Sequence, residues 1–289
     1  MPVRSSDGAH TVWATVDQVT DTEYSSIQQE LLAGLNNRRH FEAIGHAFEF
    51  ALNLCPRVNP SDVWQHIIYR TYLTTGRSEQ SWKRASGQAF ENAFVRLYNP
   101  RLYEHDIRLV VLSPSQTALA LREMEVHRQV GHSKLDIALQ GVCESDRTWR
   151  VFGGVHAKVS IAERISDDEP ASRAMIANGY LSVIATLDSK SFPPPGGDGV
   201  NRGELGFPRP GHTADKRDYV EVHGSFHMCF SYNLRSPPST GNTPSGGRIY
   251  SLSFSEPQPD QFVTCVTEYW NTHRQDLCGR MTPSRILAH

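Results

Sequence analysis

The segment VHAKVSI alternates strictly between apolar and polar side chains, which restricts it to an extended strand with two chemically different faces. Val155, Ala157, Val159 and Ile161 share one face, and His156, Lys158 and Ser160 share the other. The earlier segment KLDIAL repeats the pattern, with Leu135, Ile137 and Leu139 opposed to Lys134 and Asp136. If the two strands are neighbours, a carboxylate and an ammonium meet on the polar side of one sheet. Directly after the second strand, Ala162, Glu163 and Arg164 put an acid beside a base at the strand's exit.

With 289 residues, 38% of them hydrophobic and 21% charged, the chain can bury one large core or two small ones. A formal net charge of −2 argues against a protein that coats nucleic acid non-specifically, for which a basic domain is expected. It is compatible with a site-specific enzyme that has a local basic cleft. No stretch approaches the run of about 20 apolar residues that a membrane span needs. The start, MPVRSSDGAHTVW, has no apolar run of the signal-peptide kind, so no membrane association and a cytoplasmic location are expected. Cys55, Cys143, Cys229, Cys265 and Cys278 are odd in number and far apart, with no C-x-x-C pair, and are expected to be buried free thiols.

Residues of about 20–100 read as helical. Ile27, Leu31, Leu32 and Leu35 mark one helix, and Ile44, Phe48 and Leu52 a second. Asn59-Pro60 looks like a cap with proline at the first helical position, opening a helix with Val63, Ile67, Ile68 and Tyr72. Ser86 is expected to cap a fourth helix with Phe90, Phe94, Val95 and Tyr98 along its stripe. IRLVVLS, KLDIALQG, WRVFGGVHAKVSI, YLSVIATLD, FHMCFSY and RIYSLSFS read as strands. PASRAMIANG reads as a short helix with Pro170 in its first turn, and QFVTCVTEYW as a final helix. Strand, helix, strand implies a crossover and some parallel pairing. The expectation is one α/β domain over 1–289, a mixed sheet core at about 105–255 flanked by helices.

Asp136 and Lys158 suit metal-assisted phosphodiester hydrolysis. A hard cation such as Mg²⁺ prefers carboxylate oxygens, and a lysine can stabilise developing negative charge. The same pair is equally compatible with an ordinary ion pair on a half-exposed sheet. Glu91 lies beside the apolar stripe of the fourth helix, and Asp167, Asp168 and Glu169 sit where the strand gives way to a helix. The last three also suit helix capping. Glu163 and Arg164 suit reading of a C·G pair, glutamate accepting from cytosine N4 and arginine gripping guanine O6 and N7; an exposed ion pair is the alternative.

These residues resemble the type II restriction endonucleases of the PD-(D/E)xK superfamily that recognise a CCGG core. In that family the catalytic lysine is followed closely by an R-(D/E)-R or R-x-D-R reading element. The acid two residues before the lysine is missing, and a carboxylate from a following helix replaces it. Here His156 stands two before Lys158, and the acidic cluster follows Arg164. Much of 40–240 is similar to one member, including NPSDVWQHIIYR, SWKRASGQAFE, GGVHAKVSIAERISDDEPASR, TLDSKSFPPP, VNRGELG and FSYNLRSPPS.

The resemblance implies a restriction-endonuclease-like fold, with Asp136, Lys158, Glu91 and Asp168 catalytic and Asp136 with Asp168 holding Mg²⁺. Asp167 and Glu169 are alternatives to Asp168, because the position where relatives carry glutamate falls near Ala171 and Ser172. Glu163 and Arg164 match the last two members of the reading element, while Ala162 replaces its first arginine. Arg84 or Arg202 is expected to supply that guanine contact, and the loop with Lys190 and Ser191 to approach DNA and read the outer A·T pairs or hold phosphate. The implied substrate is double-stranded DNA at a palindromic CCGG site, A/CCGGT with a four-base 5′ overhang. A homodimer on DNA, monomeric when free, and a cognate DNA methyltransferase in the host are the implied partners. A catalytically inactive DNA-binding relative, or a nuclease of branched or damaged DNA, would share the fold. Arg164→Ala is expected to lose about 1–3 kcal/mol of discrimination at a C·G pair, read as the ratio of cleavage rates on CCGG and single-mismatch duplexes.

Overall fold

The computed structural model describes residues 2–4, 11–130, 135–161, 165–191, 197–206, 215–255 and 260–286. Two short strands, β1 (Pro2–Arg4) and β2 (Thr11–Trp13), pair antiparallel apart from the main sheet. That sheet holds β3 (Ile107–Val111), β4 (Ile137–Val142), β5 (Trp149–Lys158), β6 (Leu181–Thr186), β7 (Met228–Ser231) and β8 (Arg248–Ser251), side by side in chain order. β3, β4 and β5 pair antiparallel; β5, β6, β7 and β8 pair parallel. The two alternating segments are therefore neighbours, with Ile137 opposite Val155.

The helical layer comprises α1 (Asp21–Asn37), α2 (His40–Leu54), α3 (Pro60–Asp62), a π-helical turn (Val63–Ile68), α4 (Tyr69–Thr74) and α5 (Glu79–Leu102). Asn59 caps α3 as expected, its side chain accepting from Ser61 N at 3.3 Å. Ser86 caps nothing: it is buried within α5, and Ser78 is the cap, accepting from Ser81 N at 3.2 Å. The stripe that begins at Phe90 continues back to buried Trp82, so the helix starts two turns earlier than its phenylalanines suggest.

Two helices were not foreseen. α6 (Pro114–Glu123) opens on a capping box of Ser113 and Gln116, and α8 (Asp215–Glu221) lies between β6 and β7. The crossover from β5 to β6 is α7 (Ile165–Ala177), which starts early enough to put Asp167 and Asp168 in its first turn and Pro170 in its interior. α9 (Gln261–Arg280) closes the fold.

One hydrophobic cluster joins the helical layer to the sheet, from Ile27 through Phe94 and Leu139 to Ile286. A smaller one, with Ile161, Ile165, Ile184 and Phe226, lies under α7 and α8. β4 and β6 are buried throughout, and β5 everywhere but its ends. The polar face of VHAKVSI is therefore only partly solvated: His156 is fully buried under α7, while Lys158 and Ser160 are half-buried and line a cleft. Gly154 permits close packing there, since a Cβ on it would stand 2.2 Å from Leu135 Cδ1. The cysteines are also corrected: Cys143, just beyond β4, is disulfide-bonded to Cys278 near the end of α9, while Cys55, Cys229 and Cys265 are free and buried. Ser78→Ala is expected to cost about 1 kcal/mol through loss of the α5 cap, read as a lower urea midpoint at unchanged m.

Candidate active site

Three elements bring charge to one point. Asp136 immediately precedes β4, and its carbonyl accepts from Leu112 N at 2.9 Å, tying it to the end of β3. Its Oδ2 accepts from Ala157 N at 3.0 Å and from Lys158 Nζ at 2.7 Å. Lys158 Nζ also lies 2.8 Å from Oδ2 of Asp168, in the first turn of α7. The Lys158 side chain is 11% exposed, that of Asp136 19% and that of Asp168 1%. Burial alone would push the Lys158 ammonium down, but the Asp136 and Asp168 carboxylates outweigh it and hold its pKa above the ordinary value. Burial would raise the Asp168 carboxyl, and His156 and Lys158 beside it hold it below the usual carboxylate value instead.

His156 stands where the family's usual acid is absent. Hydrogen-bond direction shows that its Nε2 carries a hydrogen. Ser172 Oγ donates its one hydrogen to Ser225 O, so Ser182 Oγ must donate to Ser172 Oγ at 2.6 Å. His156 Nε2, 3.2 Å from Ser182 Oγ, is then the donor of that bond, and Nδ1 faces Asp168 Oδ2 at 3.6 Å. Glu91 reaches the same place from α5. Burial first, and the Asp136 charge second, push its carboxyl up to about 7, with Lys158 opposing.

A cleft of about 440 Å³ opens on this cluster, lined by Glu91, Asp136 and Lys158 and also by Lys83, Lys190 and Ser191. Asp168 does not line it; with His156 and Phe226 it bounds a small void elsewhere along Lys158. Of the other acids near it, Glu169 is bound to Arg173 and Ser225 Oγ, each at 2.8 Å, and Asp167 lies in the first turn of α7. Arg84 lines a neighbouring cavity of about 280 Å³ with His40 and Ser81. Arg202 is exposed and forks onto Asp198 at 2.6 and 2.7 Å, outside the cleft. Ala162, Glu163 and Arg164 lie outside the described residues.

Lys83 and Gln65 line the cleft but were not singled out from the sequence. For Lys83 the spacing gave no decision: positions 83 and 84 stand eight and seven residues before Glu91, and only the structure puts Lys83 in the cleft and Arg84 in the neighbouring cavity. Gln65 carried no signal, because the π-helical turn breaks the ordinary helical count.

The acids suit a hard divalent ion. Two carboxylates from different elements already converge on one positive centre, and Asp168 Oδ1 is a buried oxygen without a hydrogen-bond partner among the described residues. Among the described residues no ready-made group of three or more acids, imidazoles or thiols exists. One or two carboxylates completed by water and a substrate phosphate is the habit of Mg²⁺.

Because the folded protein raises the Glu91 pKa from 4.5 to about 7, it binds that proton more tightly than the unfolded chain. The stabilisation is fully present below 4.5 and lost as pH rises through about 7. In metal-free protein, Glu91→Gln is expected to raise Tm at pH 8 and to change it little at pH 5; equal shifts at both pH values would contradict a perturbed carboxyl.

No protein-family model matches the chain. The type II restriction enzyme AgeI of Thalassovita gelatinovora is 49% identical over 258 residues, 86% of this chain and 91% of that protein. The crystal structure of a specific AgeI–DNA complex superposes with a TM-score of 0.85 at 44% identity, covering 93% of this chain and 99% of that one. A pre-specific BsaWI–DNA complex, at 19% identity and a TM-score of 0.41, is too distant to add to this. No helix among the described residues is long and apolar enough to cross a membrane. With close likeness along most of its length to a restriction enzyme, and an acid–lysine cluster opening on a cleft, this chain belongs to the type II restriction endonucleases, a site-specific deoxyribonuclease of the AgeI kind with the restriction-endonuclease-like α/β fold.

Proposed function

We propose that the enzyme cuts double-stranded DNA at a palindrome with a CCGG core, A/CCGGT, by Mg²⁺-dependent hydrolysis that leaves four-base 5′ extensions. The observation that carries this is the Lys158 ammonium held between Asp136 and Asp168 beside a cleft lined by Lys83 and Lys190. The solved AgeI complex contains DNA, which supports DNA as the ligand of that cleft.

In this reading Asp136 and Asp168 hold the ion. When bound, such an ion stabilises charge on the scissile phosphate and lowers the pKa of a water molecule. Lys158 donates from Nζ to a phosphate oxygen or to the attacking water, in a site dry enough for that donation to count. Glu91, whose carboxyl sits near 7, takes up a proton at the face of the cleft opposite its apolar stripe. His156, through its Ser182 and Ser172 chain, keeps the Asp168 carboxylate turned toward Lys158.

Glu163 and Arg164 read a C·G pair, and Lys190 and Ser191 approach the outer A·T pairs. For the guanine contact that Ala162 cannot make, Arg84 is the better candidate, because Arg202 would first have to give up Asp198. A palindrome calls for two subunits across an isologous interface, so a homodimer assembles on DNA from free monomers. The chain works as one endonuclease domain, which its continuous core favours. It acts in the cytoplasm beside a methyltransferase that protects host sites.

Incubation with plasmid and Mg²⁺, followed by sequencing of the ends, tests the site and the stagger together. Cuts before the first cytosine of ACCGGT support the reading; scattered cuts, or retardation without cutting, reject it. Lys158→Ala is expected to bind the same duplex while cutting at least about 100-fold more slowly, and near-normal turnover would remove Lys158 from the chemistry.

A further inference from the structure

The loop that leaves β6 with Lys190 and Ser191 is gripped by the segment 59–68 of the helical layer. Its backbone is fixed by buried amides. Lys190 N donates to Asn201 Oδ1 at 2.8 Å, and Asn201 Nδ2, fully buried, donates to Ser61 Oγ at 2.7 Å. Asn233 Nδ2 donates to Asp188 O at 3.2 Å. Asp188, at φ 42°, is in turn held by the amides of Glu204 and Leu205 and by Ser236 Oγ.

The side chains flanking Lys190 are held differently. Ser189 Oγ donates to Gln65 Oε1 at 2.9 Å, and Gln65 Nε2 donates to Ser191 Oγ at 3.3 Å. One amide thus spans both hydroxyls, from a π-helical turn at the wall of the cleft. Gln65 is half-buried, and the backbone of the loop keeps its own bonds without it. Water can replace its two hydrogen bonds at small cost to stability. What it supplies is orientation of Ser191, and hence of the surface presented beside Lys190.

We propose that Gln65 is a positioning residue for sequence discrimination: it aims Ser191 at the outer base pair of the site. The inference rests on the reading that Lys190 and Ser191 meet DNA. Duplexes containing the site mapped on plasmid, its outer-pair variants and its core variants separate the possibilities. Gln65→Ala is expected to keep Tm and to lose about tenfold of the discrimination at the outer pair, leaving discrimination within the core intact. Ser191→Ala should give the same loss, and the double variant no more than either alone. Gln65→Glu, which keeps the bond from Ser189 but cannot donate to Ser191, should lose the discrimination as Gln65→Ala does.

A Gln65→Ala enzyme with lower Tm and equal slowing on every duplex would reduce Gln65 to a structural role. Lost discrimination in Ser191→Ala with none in Gln65→Ala would overturn the positioning inference alone. No loss in either would overturn both it and the DNA-contacting role of the loop. A full extra loss in the double variant would place Gln65 itself on the base.

Discussion

A buried ammonium shared by two carboxylates organises this molecule. Taking three charges out of water is costly, and their mutual attraction offsets that only with good geometry. The geometry comes from the fold. β4 begins at the residue after Asp136, β5 ends at Lys158, and the crossover helix α7 starts soon enough to bring Asp168 over the same strand. Moving any of the three would leave a charge buried and unpaired. The His156, Ser182 and Ser172 chain belongs to the same solution: it occupies the buried polar face of β5 with groups whose hydrogen bonds have a defined direction, and it leaves His156 Nδ1 3.6 Å from Asp168 Oδ2.

The helical layer reaches the site twice. α5 contributes Glu91 and Lys83 from one face, and the π-helical turn contributes Gln65 to the loop after β6. The walls of the cleft are thus built on elements that share one core with the sheet. A loop presented by buried asparagines and a half-buried glutamine is rigid in its backbone and adjustable in its side chains, as selective reading of base edges requires.

The alternation in VHAKVSI and KLDIAL made the pairing of Asp136 with Lys158 legible, since a period of two assigns each side chain to a face without tertiary information. It did not reveal that the polar face would be partly covered, because α7 buries His156 by a contact remote in pattern from the strand. Helix spacing identified the stripe of α5 but not its start. Ser78 and Ser86 are equally good caps in isolation, and only the packing of Trp82 decides between them. The same spacing does not separate Lys83 from Arg84, which stand eight and seven residues before Glu91; only tertiary packing sends Lys83 into the cleft. The Cys143–Cys278 pairing joins residues whose spacing follows no motif, and Asp198 with Arg202 forms an i,i+4 pair outside any helix.

The most direct measurement is a crystal structure of the enzyme on a cognate duplex with Ca²⁺ in place of Mg²⁺. This account requires an ion at ~2.4 Å from an oxygen of both Asp136 and Asp168, with Lys158 Nζ turned to the scissile phosphate. An ion bound without either carboxylate, or a phosphate seated away from Lys158, would contradict it.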